Sequence, residues 1–110
     1  MDSKQKGWCK LYKVITFHAV FKNAEHFKLF VWLVLNAAFT THKEEVGTHI
    51  LTVFRGELYV ACKELAEVME VTPRMIRYYL IDLKDKYDVI QIEKYKQFYK
   101  IIINNYNKYQ

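Results

Sequence analysis

Arg74 and Arg77 are the residues whose type and spacing point most directly to a chemistry. They lie in the segment Thr72–Lys86, where Ile76, Leu80 and Leu83 recur at the spacing of one helical stripe. A helix that buries this stripe turns Arg74, Met75, Arg77, Tyr78 and Ile81 elsewhere. Guanidinium groups pair in a fork with guanine edges and with phosphates. Upstream, Leu65, Ala66 and Met69 mark the apolar face of a shorter helix, and Glu70-Val71-Thr72 reads as a tight turn. Thr72 is suited to cap the second helix, and Pro73 follows at the first helical position, where its missing N–H costs nothing. Two short helices joined in this way, the second with a basic N-terminal face, can enter a DNA major groove. The residues expected against double-stranded DNA are Thr72, Arg74, Met75, Arg77, Tyr78 and Lys84. The plainer alternative is a pair of solvated arginines that bond Asp82 or other neighbours.

Lys94 and Lys96 form a second candidate group. Val89 to Glu93 and Phe98 to Ile103 are strand-like runs, and Lys94-Tyr95-Lys96-Gln97 separates them. A hairpin with this basic tip can grip phosphates beside the helix, although charged tips are also common on hairpins with no partner. The charge distribution agrees with a polyanion. The net charge is +5, with net +3 in residues 1–17, +2 in residues 72–86 and +3 in residues 93–110, while residues 18–71 are net −2.

Other chemistries find little support. His18, His26, His42 and His49 have no metal-ligand spacing, so no metal and no cofactor are expected. No nucleophile elbow, phosphate-binding loop or paired-carboxylate motif is present, and enzymatic activity is not expected. Cys9 and Cys62 lie far apart without a CxxC spacing and read as free thiols of a reducing compartment. No signal-peptide pattern follows the basic N-terminus, and the run Leu29–Leu35 is too short to span a bilayer. A cytoplasmic protein with no membrane association is the expectation.

The elements that must carry these residues can be read along the chain. With 110 residues, 52% of them hydrophobic, it reads as one domain with a real core. Trp8 to Ile15 reads as a first helix. Asn23 caps a second, apolar nearly all round, that runs to about Phe39. Thr40 to Gly47 reads as a loop, His49 to Phe54 as a short strand and Arg55-Gly56-Glu57 as a turn. Leu58 to Val60 either pairs back or leads into the helix at Ala61. Residues 104–110 read as a polar tail. The order helix, helix, strand, helix, turn, helix, hairpin predicts an α+β winged helix-turn-helix, with three to four helices and a small antiparallel hairpin as the wing. A helix apolar on every side is either central or covered by a second subunit. Trp8, Phe30, Trp32 and Leu33 are accordingly the expected interface of a homodimer.

The chain also resembles phage and plasmid replication proteins with a DnaD-like winged-helix N-terminal domain. The resemblance starts at Gly7-Trp8-Cys9-Lys10-Leu11-Tyr12. It continues through Val20-Phe21-Lys22-Asn23, Trp32-Leu33, His42-Lys43-Glu44, Arg55-Gly56-Glu57 and Leu65-Ala66-Glu67, and closes at Ile103-Asn104-Asn105-Tyr106-Asn107-Lys108-Tyr109-Gln110. It covers nearly the whole chain and implies a replisome organiser that binds origin DNA, self-associates and helps to load a helicase. Members usually continue into a second domain, which shifts the expectation towards an accessory or regulatory role. They also usually have a Ser or Thr cap and a basic residue where this chain has Val60 and Cys62, and a glycine where it has Glu70. The expected function is DNA binding for a phage or other mobile element, in replication initiation or its regulation. The alternatives are a transcriptional regulator, or an interaction module that binds and inhibits a host protein; Met75, Tyr78 and Ile81 would suit such an interface.

Overall fold

The computed structural model describes residues 23–110. Trp8 and the helix expected over Trp8–Ile15 lie outside the described residues, as do the N-terminal lysines. The described part is α+β, with three α-helices and two antiparallel sheets, and it is compatible with a winged-helix arrangement.

Helix α1 (Ala24–Asn36) starts where the side chain of Asn23 accepts a hydrogen bond from the His26 backbone N–H at 3.2 Å. Its Leu29, Phe30, Leu33 and Val34 are fully buried. The helix stops at Asn36, short of the expected Phe39, because the chain turns extended at Ala37. Residues 40–47, expected as a loop, contain strand β1 (His42–Val46), which pairs in antiparallel register with β2 (His49–Val53). The turn between them uses Gly47 at φ 62°, a left-handed conformation that glycine adopts without strain.

Strand β3 (Glu57–Val60) pairs back, resolving the open alternative for Leu58–Val60. It joins β4 (Ile90–Lys94) and β5 (Tyr99–Ile103) in a sheet of order β3-β5-β4. Leu58 and Ile101 are paired neighbours on its core face. Between β3 and β4 come α2 (Cys62–Met69) and α3 (Pro73–Asp85). Leu65, Ala66 and Met69 of α2 and Ile76, Leu80 and Leu83 of α3 meet in the core beneath α1. Both stripes are the ones the spacing predicts. Glu70, at φ 60°, closes the turn between the two helices in the left-handed region, a conformation that costs a non-glycine residue roughly 1 kcal/mol or more.

Residues 104–110 are not a solvated tail. Tyr106–Lys108 forms a 3-10 turn, and Tyr106 and Tyr109 are buried, with the Tyr109 ring edge-on to Phe30 at 5.3 Å. Aromatic area outweighs the polar composition of the segment. Gly56, at φ 84°, makes room for this packing, because a Cβ there would sit 3.0 Å from Tyr106 Cβ.

Candidate nucleic-acid interface

Thr72 sits at the N-cap of α3, and its hydroxyl accepts from the Met75 backbone N–H at 3.2 Å. The first turns of the helix point Arg74, Met75, Arg77 and Tyr78 to solvent, with Ile81 exposed further along. Arg74 Nε donates to the Tyr78 hydroxyl at 3.2 Å, and its guanidinium lies 5.7 Å from the centre of the Tyr78 ring. This one-turn pairing holds two long polar side chains together on the exposed face.

Arg77 points to a different neighbour. It lines a shallow groove of about 170 Å³ together with Cys62 at the start of α2, Lys94 at the end of β4, and Lys96 and Tyr99 of the hairpin. The fold therefore brings Arg77, Lys94 and Lys96 to one groove. Nothing in the spacing marks Cys62 and Tyr99 as members of the groove. Burial pushes the Cys62 thiol above its ordinary pKa; the charge of Arg77, hydrogen bonds from Tyr99 and Arg77, and the charge of Lys94 act the other way. Burial also raises Tyr99, and Cys62 adds to that. Both groups stay neutral at pH 7, so the positive charge of the groove is not offset within it.

Lys84 belongs elsewhere. It lies in the last turn of α3, two turns beyond Arg77, with its ammonium 2.7 Å from Asp85 Oδ1. The hairpin tip is aromatic as well as basic. The rings of Tyr95 and Phe98 stack with centroids 5.0 Å apart, and Tyr59 on β3 meets Phe98 edge-on at 5.5 Å. On the other side of the tip, a groove of about 310 Å³ carries Glu44, Glu45 and Glu64, with Gln97 and Phe98 common to both grooves.

The expected dimer residues divide differently. Phe30 and Leu33 are fully buried and cannot meet a second subunit without unfolding, so the expectation is corrected for both. They belong to one core with buried residues of the sheet, of α3 and of the C-terminal segment, where Tyr109 meets Phe30. Trp32 is half-buried and lines a groove with His42, Val53 and Leu58. His26, one of the four scattered histidines, is buried at 8% exposure between α1 and α3. Among the described residues, no group of three or more His, Cys, Asp or Glu side chains is placed to hold a metal, and no helix is long and apolar enough to cross a membrane.

No family model matches the chain, and neither a curated protein nor a solved structure does.

Proposed function

We propose that this chain is a winged helix-turn-helix protein that binds double-stranded DNA. Helix α3 enters the major groove and the β4–β5 hairpin lies on the flanking backbone as the wing. One observation carries the reading: Arg77 of α3 and Lys94 and Lys96 of the hairpin line a single groove beside the exposed Arg74–Tyr78 face. Such an edge offers donors to bases on one side and cations to phosphates on the other. The resemblance to DnaD-like replication proteins supports a role in replication initiation, or its regulation, for a phage or other mobile element. The core positions of Phe30 and Leu33 remove the main reason for a dimer through α1, and none is proposed.

The second reading is an interaction module that binds a host protein. It is favoured by the exposure of Met75 at 40%, Tyr78 at 54% and Ile81 at 48% on the same helix. Titration of a labelled duplex across a salt series separates the two. DNA binding through this edge gives an affinity that falls linearly in log–log form with salt. Absence of duplex binding at low salt would leave the protein-interaction reading.

A further inference from the structure

The tip of the β4–β5 hairpin alternates charge and ring over Lys94-Tyr95-Lys96 and then places Phe98 against Tyr95. The two rings lie 28° from parallel, so one face of Tyr95 is taken by Phe98, while Tyr95 as a whole is 42% exposed. The Tyr95 hydroxyl donates to Glu93 Oε1 at 3.3 Å, which fixes the ring at the end of the strand. Tyr59 stands edge-on to Phe98 at 5.5 Å and tilted to Tyr95 at 6.2 Å, and supports the pair from the sheet. The result is a braced aromatic surface at an exposed turn.

The flanks of this surface differ in sign. One side is the groove of Arg77, Lys94 and Lys96, and the other is the groove of Glu44, Glu45 and Glu64. A protein surface of uniform charge, of either sign, would meet repulsion on one flank. A strand with its phosphates along one edge and its bases along the other has the matching asymmetry: phosphates to the basic side, a ring over Tyr95. An intact duplex keeps its bases stacked on each other and has no exposed ring face to offer within its length. Every unpaired base has one.

We propose that the hairpin tip is a binding site for single-stranded DNA, with an unpaired base stacked on Tyr95 and the adjoining phosphates against Lys94, Lys96 and Arg77. The site goes beyond the duplex reading and shares its groove, with Arg77, Lys94 and Lys96; what is peculiar to it is the stacking of a base on the Tyr95 ring. A protein with both would hold a duplex through α3 and an opened strand at the wing.

The test uses the full chain and three labelled probes in fluorescence anisotropy: oligothymidylate of about twelve nucleotides, within the usual site size for such surfaces, an abasic oligomer of the same length and charge, and a duplex. Stacking predicts that oligothymidylate binds the wild-type chain roughly tenfold or more tighter than the abasic oligomer, since each stacked base adds on this order. Tyr95→Ala removes that difference, and Tyr95→Phe keeps it. Equal binding of the oligothymidylate and abasic probes by the wild-type chain overturns the proposal without reliance on any variant. Loss of duplex binding alone, with the preference for bases over abasic sites intact, defeats the major-groove reading and leaves this one standing.

Discussion

The imidazole of His26 in α1 donates from Nε2 to the carboxylate of Asp82 in α3 across 2.9 Å, while its Nδ1 faces the side-chain oxygen of Asn23 at 2.5 Å. The ring also meets Tyr79 and Tyr87 edge-on, at 5.1 and 5.5 Å. One buried side chain thus joins the cap of the first described helix to the flank of the helix proposed to meet DNA. It ties α3 to α1. His26→Ala is expected to lower the unfolding free energy by about 1–3 kcal/mol, from reduced packing and an unmade buried hydrogen bond. Asp82→Asn keeps an acceptor and should cost less. Urea denaturation measures both, and a decrease under about 0.5 kcal/mol for His26→Ala would show that the cluster does not hold the helices together.

The arginines of α3 are exposed, so their removal should leave the fold intact. The double variant Arg74→Ala, Arg77→Ala is expected to weaken binding to a preferred duplex by about 1–3 kcal/mol for each arginine that reads a base edge. Circular dichroism confirms folding, and gel shift or anisotropy reads the affinity. Unchanged affinity in a folded variant would take α3 out of the interface.

Lys94 and Lys96 are expected to act on phosphates. Changing both to alanine should weaken all duplex sequences about equally, and flatten the slope of log affinity against log salt by about one unit for each phosphate neutralised. Selective weakening at one sequence with the slope intact would mean that the hairpin reads bases.

His42 gives the β1–β2 hairpin a pH dependence. Its Nδ1 donates to the Thr40 carbonyl at 2.9 Å and its Nε2 to Glu44 at 3.1 Å. The Thr40 carbonyl, then the Glu44 carboxylate, raise its pKa above the ordinary 6.5. A raised folded pKa stabilises the protonated ring, so the contribution is fully present below the unfolded value. It is lost as pH rises through the folded one. A proton NMR titration should find the His42 midpoint above 6.5, and Glu44→Gln should lower it without removing the part due to Thr40. A midpoint at or below the ordinary value would contradict the bonded geometry.

Tyr109 tests whether the C-terminal segment belongs to the core. It is 4% exposed and packs on Phe30. Tyr109→Ala is expected to cost about 3–5 kcal/mol, the range for removing a large buried aromatic. A decrease of a few tenths of a kcal/mol, seen in the denaturation midpoint, would mean that residues 104–110 behave as a tail after all.

Elements whose pattern is local could be read directly from the residues. Ile76, Leu80 and Leu83 repeat at helical spacing, Thr72 and Pro73 mark where that helix begins, and the two runs around Lys94–Gln97 read as strands; each signal lies within one element. Strand β1 was not legible, because His42, Lys43, Glu44 and Glu45 are all exposed and no burial alternation marks the strand. Its structure comes from pairing with β2, a non-local cause. Tyr106 and Tyr109 read as tail residues for the same reason: a polar stretch with two aromatics reveals burial only once Phe30 and Gly56 are placed opposite them. The apolar circumference of α1 announced burial without saying by what, and only the tertiary structure gave Phe30 and Leu33 to the core. The candidate site divides along the same line. Arginines and lysines of the right type were visible in the chain, but whether Arg77 faces Lys94 and Lys96 depends on how the hairpin docks beside α3. Leu83 of α3 and Ile90 and Ile101 of the hairpin strands share the core, and they carry no charge and no trace of the site above them.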